Sequence, residues 1–304
     1  MNFADKLTRT IQRNNSVLCA GIDPRLDTIP HVFTKQLSEG ALQEDAIYKT
    51  LTGFFCPAVE LLADKVACIK PNIAFFEALG IPGLRALGDI VKTATAVELP
   101  TILDAKRGDI GSTAHAYARA YFGTEDDTSQ LLDVDSLTVN AFMGSDSIEP
   151  FLTYCGSNKG IFVLVKTSNP GSGELQGLPQ SDGSTLSEHV ARLVHSAGLP
   201  LRGQSGYSSV GAVVGATYPA EAIALRKLMP HTYFLIPGFG SQGGKATDAV
   251  AGFDQQGGGA IVNASRGLFS SFSNLSLSRE DAMEEIAAKA QAFSKELNDA
   301  VTKR

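Results

Sequence analysis

The sequence alternates short apolar runs with longer stretches of helical periodicity. Eight of these runs are rich in Val, Ile and Leu and have the length of strands: 17–22, 66–70, 101–106, 136–140, 161–167, 210–215, 233–237 and 260–264. Because apolar residues occupy both faces of each run, the strands are expected to be covered on both sides. This pattern is typical of a parallel sheet whose strands are connected by helices.

Helical patterns fill the stretches between the runs. Residues 45–64 are one example, with Ile47, Leu51, Phe54, Phe55 and Leu62 at roughly helical spacing. Eight strand–helix units predict an α/β protein with a closed (β/α)8 TIM barrel. The alternative is an open, doubly wound sheet. The barrel is preferred because the first turn lacks G-x-G-x-x-G and the glycine-rich segments come late in the chain.

One long insertion interrupts this rhythm. A chain of 304 residues has the size of a single barrel, so one domain over 1–304 is predicted. Residues 168–208, rich in Gly and Pro after the fifth strand, are expected to act as a lid. Thr185 and Glu188 are spaced as a capping box for a short helix there. Residues 279–304 are predicted to form a C-terminal helix, with Ser278 as its N-cap.

Composition limits the possible partners and compartments. A formal net charge of -6 argues against nucleic acid or an anionic membrane as a partner. No run approaches the roughly 20 apolar residues that span a bilayer, and the N-terminus does not resemble a secretion signal. The four cysteines form no CxxC pair. A cytoplasmic protein with reduced thiols is therefore expected.

The third apolar run ends in charges of alternating sign. Asp104 and Lys106 are two residues apart, so on a strand they share one face. A surface salt bridge would explain this pair alone. Lys70, however, also ends an apolar run, and a buried lysine needs a counter-charge. The nearest candidates, one strand away, are Asp104 and Asp109.

Polar residues follow several other predicted strands: Asp23, Asn140, Thr167 and Ser168. Each alone could form a turn or cap a helix. The catalytic groups of such barrels, however, come from the C-terminal ends of the strands. Together these residues therefore predict an active site at that end of the barrel.

The loops after the last two strands are candidates for a phosphate site. Residues 237–244 read Pro-Gly-Phe-Gly-Ser-Gln-Gly-Gly, and the eighth strand runs into Asn263-Ala-Ser-Arg266-Gly. Glycines let backbone N–H groups approach an anion, and arginine can bind phosphate through two donors. Loops seven and eight often bind phosphate in these barrels.

These motifs together resemble the orotidine 5′-phosphate decarboxylase family. The resemblance rests on Asp104-x-Lys106-x-x-Asp109, Lys70-Pro71-Asn72, the segment 237–244 and Ser265-Arg266-Gly267. The longer bacterial-type subfamily is the most similar, because it shares the whole run 104–113. Segments 138–144 and 166–171 are also similar to that subfamily. The resemblance extends from about residue 17 to residue 270.

The resemblance implies an enzyme, a carboxy-lyase. It would convert orotidine 5′-phosphate to UMP without cofactor or metal, in the last step of pyrimidine nucleotide synthesis. Lys106 would be the proton donor, within a charged array formed with Lys70, Asp104 and Asp109.

The resemblance also implies a set of substrate-binding residues. Asp23 and Lys70 would bind the ribose hydroxyls, Ser168 the pyrimidine, and Gln242 and Arg266 the phosphate. Asn140 and Pro237 complete the predicted set. Asp109, Ile110 and Thr113 match residues that family members contribute to the neighbouring subunit's site, which implies a homodimer with shared active sites.

Two other functions remain open. The motif D-x-K-x-x-D also occurs in metal-dependent lyases and aldolases that act on sugar phosphates. Those relatives resemble this chain less, because they carry an acidic residue where Lys70 stands. The second alternative is a protein that binds a nucleotide through the phosphate loops but does not catalyse a reaction.

Overall fold

Eight parallel strands form one continuous sheet in the computed structural model, which describes residues 1–37, 44–123, 131–239 and 245–304. All eight predicted strands are present. Their bounds are β1 Leu18–Ile22, β2 Cys68–Pro71, β3 Ile102–Arg107, β4 Ser136–Val139, β5 Gly160–Lys166, β6 Ser208–Val214, β7 Thr232–Ile236 and β8 Ala260–Ala264.

The sheet closes on itself. The hydrogen-bonded order is β2-β1-β8-β7-β6-β5-β4-β3. Parallel bridges from Ile69 to Thr101 and from Asn72 to Asp104 then join β2 to β3. The predicted (β/α)8 TIM barrel is therefore confirmed, and the open sheet is wrong. The second bridge lies at the C-terminal end of the strands, where Asp104 was expected to act.

Helices surround the barrel, and the predicted ones lie close to their expected bounds. Residues 45–64 correspond to α3, and Ser278 caps α13 by accepting a hydrogen bond from the Asp281 N–H at 3.1 Å. No helix among the described residues is long and apolar enough to cross a membrane. The helices are α1 Phe3–Asn14, α2 His31–Thr34, α3 Glu44–Leu62, α4 Ile73–Glu77, α5 Gly80–Ala96, α6 Gly111–Phe122, α7 Glu149–Cys155, α8 Ser172–Leu175, α9 Leu186–Gly198, α10 Pro219–Leu228, α11 Ala246–Ala249, α12 Arg266–Phe269 and α13 Arg279–Thr302.

Helix α1 was not predicted from the sequence. Asn2 caps it by accepting a hydrogen bond from the Asp5 N–H at 2.9 Å. Phe3 is buried and contacts Phe162 of β5 edge-on, with ring centroids 6.0 Å apart. Both residues belong to the apolar cluster inside the barrel. Helix α1 therefore contributes to the apolar barrel interior, whereas the charged residues lie at the C-terminal ends of the strands.

The insertion after β5 contains two α-helices, α8 and α9, and a short 3-10 helix at Leu199–Leu201. The predicted capping box is present at the start of α9. There the Glu188 N–H donates to Thr185 Oγ1 at 3.2 Å, and the Thr185 N–H donates to Glu188 Oε2 at 2.8 Å. The insertion thus has its own helical structure, and its action as a lid stays a prediction.

Candidate active site

A cavity of about 310 Å³ opens at the C-terminal ends of the strands. All eight strands, or the loops that follow them, contribute residues to its lining. Among its lining residues are eight that the sequence singled out: Asp23, Lys70, Asp104, Lys106, Thr167, Ser168, Pro237 and Arg266.

Asp104 is at the centre of the charged part of the cavity. Its Oδ2 lies 2.7 Å from Lys70 Nζ, and its Oδ1 lies 2.6 Å from Lys106 Nζ. Two ammonium groups therefore share one carboxylate, so the three side chains together carry one surplus positive charge. The sequence left Asp104 and Asp109 as possible partners of Lys70, and the structure places Asp104 in that role.

Burial and charge oppose each other in this array. Burial alone would raise the pKa of Asp104, but the two lysines outweigh it and hold that pKa well below its usual range. Burial alone would lower the pKa of Lys70, but the carboxylates of Asp104 and Asp23 outweigh it, and the pKa is raised. Asp104 and Lys70 are therefore both charged at neutral pH.

The two lysines differ in exposure. The Lys70 side chain is 6 % exposed, whereas the Lys106 side chain is 50 % exposed. Lys70 is thus an internal charge that orients Asp104. Lys106 reaches into the cavity, where a bound molecule could meet its ammonium group.

Strand β3 carries a bulge at the charged residues. Its register with β4 shifts between Leu103, which pairs with Leu137, and Arg107, which pairs with Val139. Lys106 lies inside this bulge with a left-handed φ of 47°. That conformation costs a non-glycine residue roughly 1–2 kcal/mol, and such strain is concentrated at functional sites.

The cavity wall next to β2 comes from β1, β8 and the turns that follow them. Asp23 Oδ1 is buried there and has no hydrogen-bond partner among the described residues. A buried carboxylate oxygen without a partner can accept a hydrogen bond from a hydroxyl group. A Cβ atom at Gly21 would lie 1.9 Å from Ser265 Oγ, so glycine is needed to let the turn before Arg266 approach β1.

Part of the predicted phosphate site lies among the described residues. Arg266 begins α12 at the cavity edge, and Pro237 lines the cavity after β7. Gln242, the other predicted phosphate ligand, lies in 240–244, outside the described residues.

Four predicted site residues do not line this cavity. Asp109 and Ile110 follow β3, where Asp109 Oδ1 accepts a hydrogen bond from the Ile110 N–H at 2.8 Å. Thr113 is exposed in the first turn of α6. Asn140 is exposed after β4, and its Oδ1 accepts a hydrogen bond from the Phe142 N–H at 3.0 Å.

Several polar residues that line the cavity were not predicted to have a role: Asn72, Thr138, Asn169, Asn263 and Ser265. Their place in the sequence could have identified them, because each lies at or just after the end of a strand. Thr138 is the residue most closely tied to the charged array, because its hydroxyl donates to Asp104 Oδ1 at 3.0 Å.

The insertion contacts the cavity wall through Gln176. Its Oε1 accepts a hydrogen bond from the Thr167 N–H at 2.9 Å, and its Nε2 donates to Thr167 Oγ1 at 2.9 Å. Thr167, Ser168 and Asn169 all line the cavity. Gln176 therefore holds the segment that carries Ser168, the predicted pyrimidine ligand.

The fold and this charged mouth define a (β/α)8-barrel enzyme that binds an anionic ligand. Residues 18–275 match the model of the Orotidine 5′-phosphate decarboxylase / HUMPS family, and the chain belongs to that family. It is similar to a protein of Rhodopirellula baltica named orotidine 5′-phosphate decarboxylase, with 46 % identity over 267 residues that cover 88 % of this chain and 87 % of the relative. A relative of the same name from Clostridium tetani is 43 % identical and covers 87 % of each chain.

Solved structures of OMP decarboxylases are also similar to this chain. The structure of Leishmania donovani OMP decarboxylase matches with a TM-score of 0.75 and 33 % identity over 99 % of both chains. That of a putative orotidine-monophosphate-decarboxylase from Toxoplasma gondii matches with a TM-score of 0.81 and 33 % identity, over 99 % of this chain and 97 % of that one. The bacterial-type subfamily assignment is consistent with the two bacterial relatives.

Proposed function

We propose that this protein decarboxylates orotidine 5′-phosphate to UMP without a cofactor, as an enzyme of pyrimidine nucleotide synthesis. One observation carries the proposal. Asp104 holds the ammonium groups of Lys70 and Lys106 within 2.7 Å of its two oxygens, at the mouth of a barrel of this family.

The reaction is difficult because of where the charge develops. When the bond from C6 to the carboxylate breaks, its electron pair stays in an sp² orbital of C6 and cannot delocalise into the ring. The protein must therefore stabilise this anion electrostatically and supply a proton. An ammonium group beside C6 does both: one N–H proton is transferred to C6, CO₂ leaves, and the amine regains a proton from solvent.

Lys106 is the proposed proton donor. Its side chain is half exposed at the cavity, whereas Lys70 is 6 % exposed and bonded to Asp104. Asp104 orients the Lys106 ammonium group, which lies 2.6 Å from its Oδ1. The ammonium group of Lys106 favours an anion at the reacting centre.

Repulsion between Asp104 and the substrate carboxylate is a smaller effect. At ~4 Å and an effective dielectric constant of ~20, such a contact is worth about 4 kcal/mol, or roughly three powers of ten in rate. The two nearby lysines offset much of that. Stabilisation of the anion, with phosphate binding that drives the insertion over the site, therefore carries more of the rate acceleration.

The phosphate group has its own test. Arg266 and the loop with Gln242 are the proposed phosphate ligands, remote from C6. If their binding energy drives the reaction, orotidine, which lacks the phosphate, should be turned over with a greatly reduced kcat/KM. Equal turnover of orotidine and its 5′-phosphate would contradict this part of the proposal.

A homodimer with shared active sites is supported by the rim of the barrel. Ile110, Phe142 and Met143 are exposed apolar residues on the loops after β3 and β4. The loops pack closely, because a Cβ atom at Gly108 would lie 2.7 Å from the Asn140 carbonyl oxygen. Exposed apolar groups of this kind favour a protein interface. A second subunit docked there would receive Asp109.

A metal-dependent lyase or aldolase fits these residues less well. Both oxygens of Asp104 already accept hydrogen bonds from ammonium groups. Among the described ranges, no cluster of three or more His, Cys, Asp or Glu side chains could hold a metal ion. Lys70 would also place a positive charge where the metal-dependent relatives carry an acidic residue.

The experiment is a spectrophotometric assay of the purified protein with orotidine 5′-phosphate, before and after treatment with EDTA. We expect equal rates and UMP as the product identified by chromatography. A rate that EDTA abolishes and a divalent cation restores would favour the metal-dependent alternative. Tight UMP binding without any decarboxylation would favour the nucleotide-binding protein.

A cytoplasmic location is also part of the proposal.

A further inference from the structure

The bulge in β3 turns two consecutive backbone N–H groups towards one side chain of β4. Leu103 and Arg107 keep their partners on β4, but three residues of β3 lie between them where β4 has one, Thr138. Buried N–H groups that lose a ladder partner need another acceptor. The Thr138 hydroxyl supplies it, because the N–H groups of Ala105 and Lys106 both donate to Thr138 Oγ1 at 2.9 Å.

The same hydroxyl also reaches the charged array. Thr138 Oγ1 donates its proton to Asp104 Oδ1 at 3.0 Å, the oxygen that also accepts from Lys106 Nζ. A hydroxyl has one proton to donate and two lone pairs. All three are used here, two for the backbone of the bulge and one for the carboxylate. Thr138 is 1 % exposed, so water cannot readily replace it.

We propose that Thr138 is the positioning residue that holds Lys106 in its left-handed conformation and thereby aims the ammonium group at the reacting carbon. The inference rests on the proposed role of Lys106 as proton donor. Strained backbone persists where the surroundings over-determine it, and the two N–H bonds to Thr138 supply that constraint. The bond to Asp104 fixes the carboxylate between the two lysines.

Two substitutions separate the hydroxyl from the rest of the side chain. Thr138→Val keeps the shape but removes the donor and both lone pairs, whereas Thr138→Ser keeps the hydroxyl. Since a misplacement of about 1 Å can cost about 100-fold in rate, we expect Thr138→Val to lower kcat about 100-fold and to change KM less than about threefold. Thr138→Ser should recover kcat to within about threefold of the wild type.

Thr101→Val is the matched control. Thr101 precedes the same strand at its other end, is 1 % exposed, and its hydroxyl has no partner among the residues described. The same loss of a buried hydroxyl should leave kcat and KM unchanged there. A merely structural role for Thr138 would instead lower the folded fraction and leave kcat per folded molecule unchanged.

Amide hydrogen exchange of the wild-type protein provides a test that needs no variant to fold. We expect the N–H groups of Ala105 and Lys106 to be protected as strongly as those of β4. Exchange as fast as in an exposed loop would overturn the inference, as would a Thr138→Val enzyme with wild-type kcat. If Lys106→Ala also kept wild-type kcat, the proposed role of Lys106 would fail. If Thr138→Val kept wild-type kcat and Lys106→Ala did not, only the proposed role of Thr138 would fail.

Discussion

Lys70 Nζ lies 2.7 Å from Asp104 Oδ2, and the two side chains are 6 % and 12 % exposed. This is a buried ion pair at the end of two neighbouring strands, joined also by the bridge from Asn72 to Asp104. Removal of one partner from such a pair leaves an uncompensated buried charge. The pair therefore affects both the stability of the barrel and its chemistry.

We expect Asp104→Asn to lower the free energy of unfolding by about 3 kcal/mol, because Lys70 then loses the counter-charge that contacts it inside the protein. Lys106→Met is the control. The Lys106 side chain is half exposed, so its ion pair should contribute less than about 1 kcal/mol. Urea denaturation followed by circular dichroism measures both. Equal, small losses for the two variants would contradict the account of the buried pair.

The pH dependence of that stability follows from the two pKa shifts. The pKa of Asp104 is depressed, so its contribution is complete above the unfolded-state pKa of about 4 and is lost as pH falls through the lower folded-state pKa. The pKa of Lys70 is raised, so its contribution is complete below about 10.4 and is lost as pH rises through the higher folded-state value. The stability difference between wild type and the double variant Lys70→Met/Asp104→Asn, which contains neither titrating group, should therefore be constant from about pH 5 to 9. Urea titrations at several pH values measure it, and a difference that shrinks between about pH 8 and 6 would be inconsistent with these shifts.

Asp109 is expected to act in the neighbouring subunit. Lys106→Ala and Asp109→Asn should each be inactive alone. Coexpression should restore about a quarter of wild-type activity, because half of the dimers are mixed and each mixed dimer has one intact site of two. The measurement is kcat per subunit of the coexpressed pair. Recovery would be absent if Asp109 acted within its own subunit.

Gln176 should affect substrate binding more than the chemical step. Gln176→Ala removes two hydrogen bonds to Thr167 and loosens the segment that carries Ser168. We expect KM for orotidine 5′-phosphate to rise about tenfold, the equivalent of about 1.4 kcal/mol, with kcat changed less. Gln255→Ala, an exposed glutamine distant from the cavity lining, is the control. A fall in kcat with KM unchanged would contradict this role.

The sequence was sufficient to predict the barrel. Continuous apolar runs of strand length define buried parallel strands, and the alternation with helices then limits the architecture to few choices. Local details were less predictable. The second strand was predicted over 66–70 but ends at Pro71, since the proline nitrogen need not donate at a strand end. Helix α1 was missed, because its burial depends on contacts with the distant Phe162.

The residues of the charged site could be predicted from the sequence, but the backbone conformation that holds them could not. The spacing of Asp104 and Lys106 correctly placed them together, and Lys70 was recognised as needing a counter-charge. A regular strand was assumed, however, and the bulge with its left-handed Lys106 depends on the register with β4 and on Thr138, a contact across 32 residues. Such tertiary contacts leave no local pattern in the sequence. One domain over 1–304 and a lid at 168–208 stay predictions.

The most direct test of the account is the rate of orotidine 5′-phosphate decarboxylation by Lys106→Ala, measured in EDTA beside wild type and Thr101→Val. Loss of the proton donor and of the charge that stabilises the anion should lower kcat by at least about 10⁴-fold, while the variant still binds UMP and unfolds at nearly the wild-type urea concentration. Thr101→Val should match wild type. A Lys106→Ala enzyme that keeps more than about a tenth of wild-type kcat would show that this ammonium group does not perform the chemistry.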